Sequence, residues 1–141
     1  MTNETYLSQV GILERRIVYH TERLRRMRLE ADAVSSRWGE RGGAGAGDAP
    51  YVRMLERIES CEEELDRENE LLARLQAQTE ETIARLPEEK MRLVLLYRYL
   101  EGKSYLQIGD LLYMDKGTAK RWQIRALDCM TLPEDAIRIP V

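Results

Sequence analysis

Between Lys116 and Leu127 the chain carries four basic side chains, Lys116, Lys120, Arg121 and Arg125, and no acid. On a helix these positions fall on one side, while Ala119, Trp122, Ala126 and Met130 recur at intervals of three and four on the other. A cationic helix face free of acids attracts phosphates. Arginine or lysine near its first turn can reach guanine edges in the major groove of a duplex. Gly117 and Thr118 belong to the same first turn, where Gly117 permits close approach to a sugar-phosphate backbone. The chemistry implied is recognition of a polyanion, with no bond made or broken.

Other reactive side chains do not assemble into a site on sequence grounds. There is no phosphate-cradling glycine loop, nucleophile elbow, metal-ligand spacing or pair of carboxylates in a catalytic setting. The expectation is a protein that is not an enzyme, with no catalytic residue, no cofactor and no metal. Glu62, Glu63 and Glu64 read as the solvated face of a coil. Cys61 and Cys129 lack CxxC spacing and read as two reduced thiols. His20 is the single histidine. No carboxylate is obviously convergent with it in the sequence, so it reads as a hydrogen-bonded histidine on a helical seam.

The basic helix needs elements that aim it. Residues 87–130 supply them. Pro87 suits the first turn of a helix running to about Leu100, with Glu88 and Glu89 at its positive end. Gly102 can take the left-handed position after it. Ser104 and Gln107 have the spacing of a capping box for a short helix to Leu112, with Ile108 and Leu112 inward. Gly109 leaves room for a neighbouring helix. Tyr113 and Met114 form the turn, and Asp115 is a good N-cap for the basic helix 115–130. A short helix, a tight turn and a basic second helix make a helix-turn-helix. The segment holds eight basic against six acidic residues, although the whole chain is formally −3.

The remaining residues form a long antiparallel helical hairpin, so the fold class is all-α: residues 1–86 as hairpin, 87–130 as a small three-helix helix-turn-helix domain, 131–141 as a short tail. In the first arm Tyr6, Val10, Leu13, Ile17, His20, Leu24, Met27, Ala31, Val34 and Trp38 alternate at four and three, the seam of a coiled coil. The second arm repeats less regularly through Tyr51, Leu55, Ile58, Leu65, Leu72, Ile83 and Leu86. A glycine-rich linker, 39–50, allows the fold-back. Pairing Trp38 with Tyr51 sets Val34 against Leu55, Ala31 against Ile58, Leu24 against Leu65 and His20 against Asn69. The first arm has seven basic and five acidic residues, the second five and ten, which is complementary. A two-helix hairpin buries one stripe of each helix, so self-association, most simply a homo-oligomer such as a dimer, is expected. The basic run from Arg23 to Arg28 reads as a solvated or salt-bridged face, with DNA contact as the alternative. Residues 1–10 lack a basic segment followed by an apolar run, and no apolar stretch reaches membrane-spanning length. The expected compartment is the cytoplasm, with no membrane partner.

From Leu93 to Leu127 the chain resembles, without gaps, region 4 of sigma-70-type factors. The matching residues are Val94, Leu95, Tyr99, Gly102, Ser104, Ile108, Gly109, Leu112, Asp115 at the usual Ser/Thr cap, Gly117, Thr118, Arg125, Ala126 and Leu127. Tyr113 stands where that family commonly has a turn glycine. The whole arrangement is similar to sigma-like phage and prophage regulators of Gram-positive bacteria, related to the RinA and ArpU late-gene activators. The resemblance implies a sequence-specific regulator of phage or mobile-element transcription that binds double-stranded DNA, with RNA polymerase a candidate partner. It places DNA contacts on Lys116, Gly117, Lys120 and Arg121, and phosphate contacts on Ser104 and Tyr105. Nothing resembles the other sigma regions, so an accessory regulator is expected and not a complete sigma factor. Two alternatives stay open: a phage small terminase subunit, which also joins a helix-turn-helix to helical oligomerisation, and a coiled-coil adaptor that binds no DNA.

Overall fold

The computed structural model describes residues 1–41 and 48–140, with the side chains of 38–41 and 48 left aside. The described chain is all-α. Helix α1 spans Asn3–Arg41 and α2 spans Asp48–Ala84; α3, Glu89–Leu95, passes directly into a π-helical segment, Leu96–Leu100; α4 is Tyr105–Leu112 and α5 is Lys116–Cys129. Both long helices extend into the expected linker 39–50. Its central residues 42–47, and the Trp38 side chain, lie outside the described residues. No described helix is long and apolar enough to cross a membrane.

The chain divides into two compact units, residues 15–70 and residues 1–14 with 71–141. Both long helices contribute residues to both units.

In the 15–70 unit, Leu24 and Ala31 of α1 share a core with Ile58 and Leu65 of α2, and Ile17, Met27, Tyr51, Met54 and Cys61 pack against them. The arms run antiparallel: Arg28 donates to Glu62 at 2.8 Å, and His20, earlier in α1, meets Glu68, later in α2, at 2.6 Å. Two details of the expected register change. Leu55 is 43% exposed and Met54 packs instead, since a seam with uneven spacing can choose either neighbour. His20 pairs with Glu68 and not Asn69, whose Nδ2 donates to its own Leu65 carbonyl at 3.0 Å. A charge-assisted bond to a carboxylate is stronger than one to an amide, which favours the Glu68 partner.

The other unit has the larger core. Tyr6, Leu7, Val10 and Leu13 of α1 are buried, as are Leu75, Thr79, Thr82, Ile83 and Leu86 from the end of α2 onward. Met91, Val94 and Leu95 of α3, Ile108 of α4, and Ala119 and Ala126 of α5 are buried as well. Residues 131–140 are more than a loose tail. Gln78 Nε2 donates to the Asp135 carbonyl at 3.0 Å, and Gln78 Oε1 accepts from Ile137 N–H at 2.9 Å and from the Tyr6 hydroxyl at 2.8 Å. Gln9 donates to the Ile137 carbonyl and accepts from the Ile139 N–H, each at 2.9 Å. Asn3 Nδ2 donates to the Leu127 and Met130 carbonyls at 2.7 and 2.8 Å, satisfying acceptors that the end of α5 leaves open.

Pro87 lies just before the helix it was expected to open: Glu88 is the N-cap of α3, with extended backbone. The run to Leu100 finishes in π form, where the Glu101 N–H reaches the Leu96 carbonyl at 3.1 Å. Gly102, at φ +66°, then reverses the chain as expected, and the Lys103 N–H closes onto the Tyr97 carbonyl at 2.9 Å.

Candidate nucleic-acid interface

The interface begins with two caps and a turn. Ser104 Oγ accepts from the Gln107 N–H at 3.2 Å, and Gln107 Oε1 accepts from the Ser104 N–H at 2.9 Å, a complete capping box that starts α4. Asp115 Oδ1 accepts from the Thr118 N–H at 2.7 Å and starts α5. That backbone bond, with a smaller contribution from the nearby Arg121 charge, holds the Asp115 carboxyl below the usual range.

Between the caps, Tyr113 sits in the left-handed region at φ 57°, and the Met114 N–H donates to the Gly109 carbonyl at 2.9 Å. Gly109 is required here for a reason different from the expected helix contact. A β-carbon on it would collide with the Met114 carbonyl oxygen, so the approaching group is the backbone of the turn. Beneath the turn, Val94, Ile108 and Ala119 form a small core with Tyr97, Leu112, Met114 and Trp122 around it. Helices α4 and α5 are thereby fixed against α3.

The packing leaves Lys116, Lys120, Arg121 and Arg125 exposed on α5, with Gly117 and Thr118 half-buried in its first turn. None of these four cations is ion-paired with an acid among the described residues. The two guanidinium groups are held in place. Arg121 donates to Thr118 Oγ1 at 3.0 Å, and Arg125 lies 5.0 Å from the centroid of the Trp122 ring. With Thr118 and Trp122 these arginines line a shallow depression, while Lys116 and Lys120 project freely. A β-carbon on Gly117 would meet only Asp115 Oδ1 at 3.4 Å and Arg121 at 3.8 Å, so the fold itself does not demand glycine there.

Ser104 is exposed and Tyr105 half-buried at the start of α4. The Ser104 oxygen is engaged as a cap, and its hydroxyl proton remains available to donate. Tyr105 carries Arg98 over its ring at 4.3 Å, and Arg98 also donates to the Lys103 carbonyl at 3.1 Å. Sequence reasoning missed this third placed guanidinium, as well as Lys90, whose ammonium stands 5.6 Å from the Trp122 ring centroid. The charge of each residue was legible, but the ring beside it is set by tertiary packing.

On its inner side α5 buries Gln123 as well as the expected alanines. Gln123 Nε2 donates to the Tyr99 hydroxyl at 2.8 Å, tying α5 to the π-helical segment. Burial, reinforced by the Glu4 charge, raises the Tyr99 pKa, so the hydroxyl stays protonated. Comparisons of the chain with protein-family models, curated proteins and solved structures find no match.

Proposed function

We propose that the protein is a sequence-specific regulator that binds double-stranded DNA by placing the first turns of α5 in the major groove. The observation that carries this reading is the outer face of α5: four exposed cations that form no salt bridge among the described residues, on a helix whose start is fixed by Asp115 and the Tyr113–Met114 turn. In this reading Lys120 and Arg121 reach base edges. Lys116, Arg125, Thr118 and the start of α4 at Ser104 and Tyr105 contact phosphates, and Gly117 lets the backbone approach. The resemblance to sigma region 4 and to phage late-gene activators supports a role in phage or mobile-element transcription, in the cytoplasm, with RNA polymerase as a second partner to test. Exposed Val18, Tyr19 and Leu29 on α1 and Val52 and Leu55 on α2 support self-association of the hairpin.

The test is fluorescence-anisotropy titration of duplex fragments from the native genome over a salt series. Affinity should fall steeply with salt through release of counterions. Removing one base contact costs roughly 1–3 kcal/mol, so the double substitution Lys120→Ala, Arg121→Ala should weaken specific binding by about tenfold or more. A folded double variant that binds like the wild type would refute the proposed face.

A further inference from the structure

His20 has more around it than one acceptor. Its Nδ1 lies 2.6 Å from Glu68 Oε1, and one ligand atom from each of His20, Glu64 and Glu68 falls within 4.8 Å of the others. Glu64 and Glu68 are one turn apart on α2 and so share a face, while His20 comes from α1. His20 and Glu68 are half-buried and Glu64 is exposed, so the group is open to solvent on one side. Two carboxylates at this spacing repel each other unless a cation lies between them.

We propose that His20, Glu64 and Glu68 form a site for a divalent transition-metal ion, zinc in the first instance, that clips α1 to α2. One imidazole nitrogen and two carboxylate oxygens, completed by water, are a suitable zinc donor set. The imidazole disfavours magnesium and calcium, which prefer all-oxygen shells. Binding replaces the existing hydrogen bond. The Nδ1 proton now shared with Glu68 leaves, to Nε2 of a neutral ring or to water from a charged one; the ring then carries its proton on Nε2, the Nδ1 lone pair goes to the metal, and Glu68 exchanges its imidazole contact for the ion. Only small side-chain movements are needed, because the three groups already converge. The consequence is local. Among its described residues the 15–70 unit buries Leu24, Ala31, Ile58 and Leu65 in its core, and a crosslink between its arms adds stability and fixes their register.

The experiment is thermal unfolding of the full chain with ZnCl2 or MgCl2, together with visible absorption on titration with CoCl2. Zinc in large excess over its Kd should raise the midpoint by roughly 5–10 °C, with magnesium giving little change. Cobalt should develop visible bands without a thiolate charge-transfer band. Glu64→Gln keeps the His20–Glu68 bond and sits at an exposed position, so it should fold normally and bind metal at least tenfold more weakly. His20→Gln should abolish the response. Failure of zinc to move the midpoint, or variants responding like the wild type, would overturn the site. A thiolate band would do the same by assigning the metal to Cys61 or Cys129. None of these readouts depends on DNA binding.

Discussion

Replacing Tyr113 by glycine should stabilise the protein. Tyr113 is the described non-glycine residue with positive φ, and its side chain is 96% exposed. A left-handed backbone costs an ordinary L-residue roughly 1–2 kcal/mol, and glycine removes that cost. The greater freedom of glycine in the unfolded chain returns about 0.5–1 kcal/mol. Because the ring is almost wholly in solvent, no packing is lost, and the net gain is about 0.5–1 kcal/mol. In a chain of this size that corresponds to roughly 2–4 °C in Tm. Thermal and urea unfolding of wild type, Tyr113→Gly and Tyr113→Ala provide the check. Alanine keeps the Cβ and the strain while deleting the ring, so it should stay within about 0.5 kcal/mol of wild type. A destabilised glycine variant, or an alanine variant as stable as the glycine one, would contradict the assignment of the cost to backbone strain.

Three further substitutions probe the same framework. Gly109→Ala should destabilise by about 3 kcal/mol or more, because the new methyl meets backbone oxygen in a turn that cannot yield; the loss is read by urea unfolding. Tyr99→Phe leaves the buried Gln123 amide without its hydroxyl acceptor and should cost about 1–3 kcal/mol, measured the same way. Asp115 has a depressed folded pKa, so its contribution to stability is present above the unfolded value near 4 and is lost as pH falls through the lower folded value. Asp115→Asn keeps a capping oxygen but removes this titration. The stability difference between the two proteins across neutral to acid pH should therefore shrink below about pH 4 in a denaturation series.

The parts of the helix-turn-helix legible in the sequence were those fixed by neighbours in the chain. Ser104 with Gln107, Asp115 with Thr118, and Gly102 after its helix each act within a few residues, so residue type and spacing sufficed. The long seam was legible for a similar reason, since Leu24, Ala31, Ile58 and Leu65 keep their period. Features chosen by distant partners were hidden. The carboxamides of Gln9, Gln78 and Asn3 look like surface residues until residues 131–140 or the end of α5 are beside them. The π-helical finish at Leu96–Leu100 depends on a hydrogen bond to Glu101 that residue preference does not encode. His20 could be placed on a seam, but a pattern of apolar residues cannot decide between Glu68 and Asn69, adjacent polar positions opposite it.

A basic stripe on a helix is common, and its charge alone distinguishes little. The four cations of α5 are not equivalent, however. Arg121 is held by Thr118 and Arg125 by the Trp122 ring, whereas Lys116 and Lys120 have no such restraint. A guanidinium used for paired hydrogen bonds works through fixed geometry, so restraint before binding reduces the entropy lost on contact. An ammonium that acts as a point charge on phosphate needs reach more than aim. In the proposed reading, restraint suits Arg121 to a base edge and Arg125 to a bidentate phosphate contact, while free reach lets Lys116 meet phosphate and Lys120 a base edge. The restraint rests on neutral residues, Thr118 and Trp122, that a count of charges would pass over.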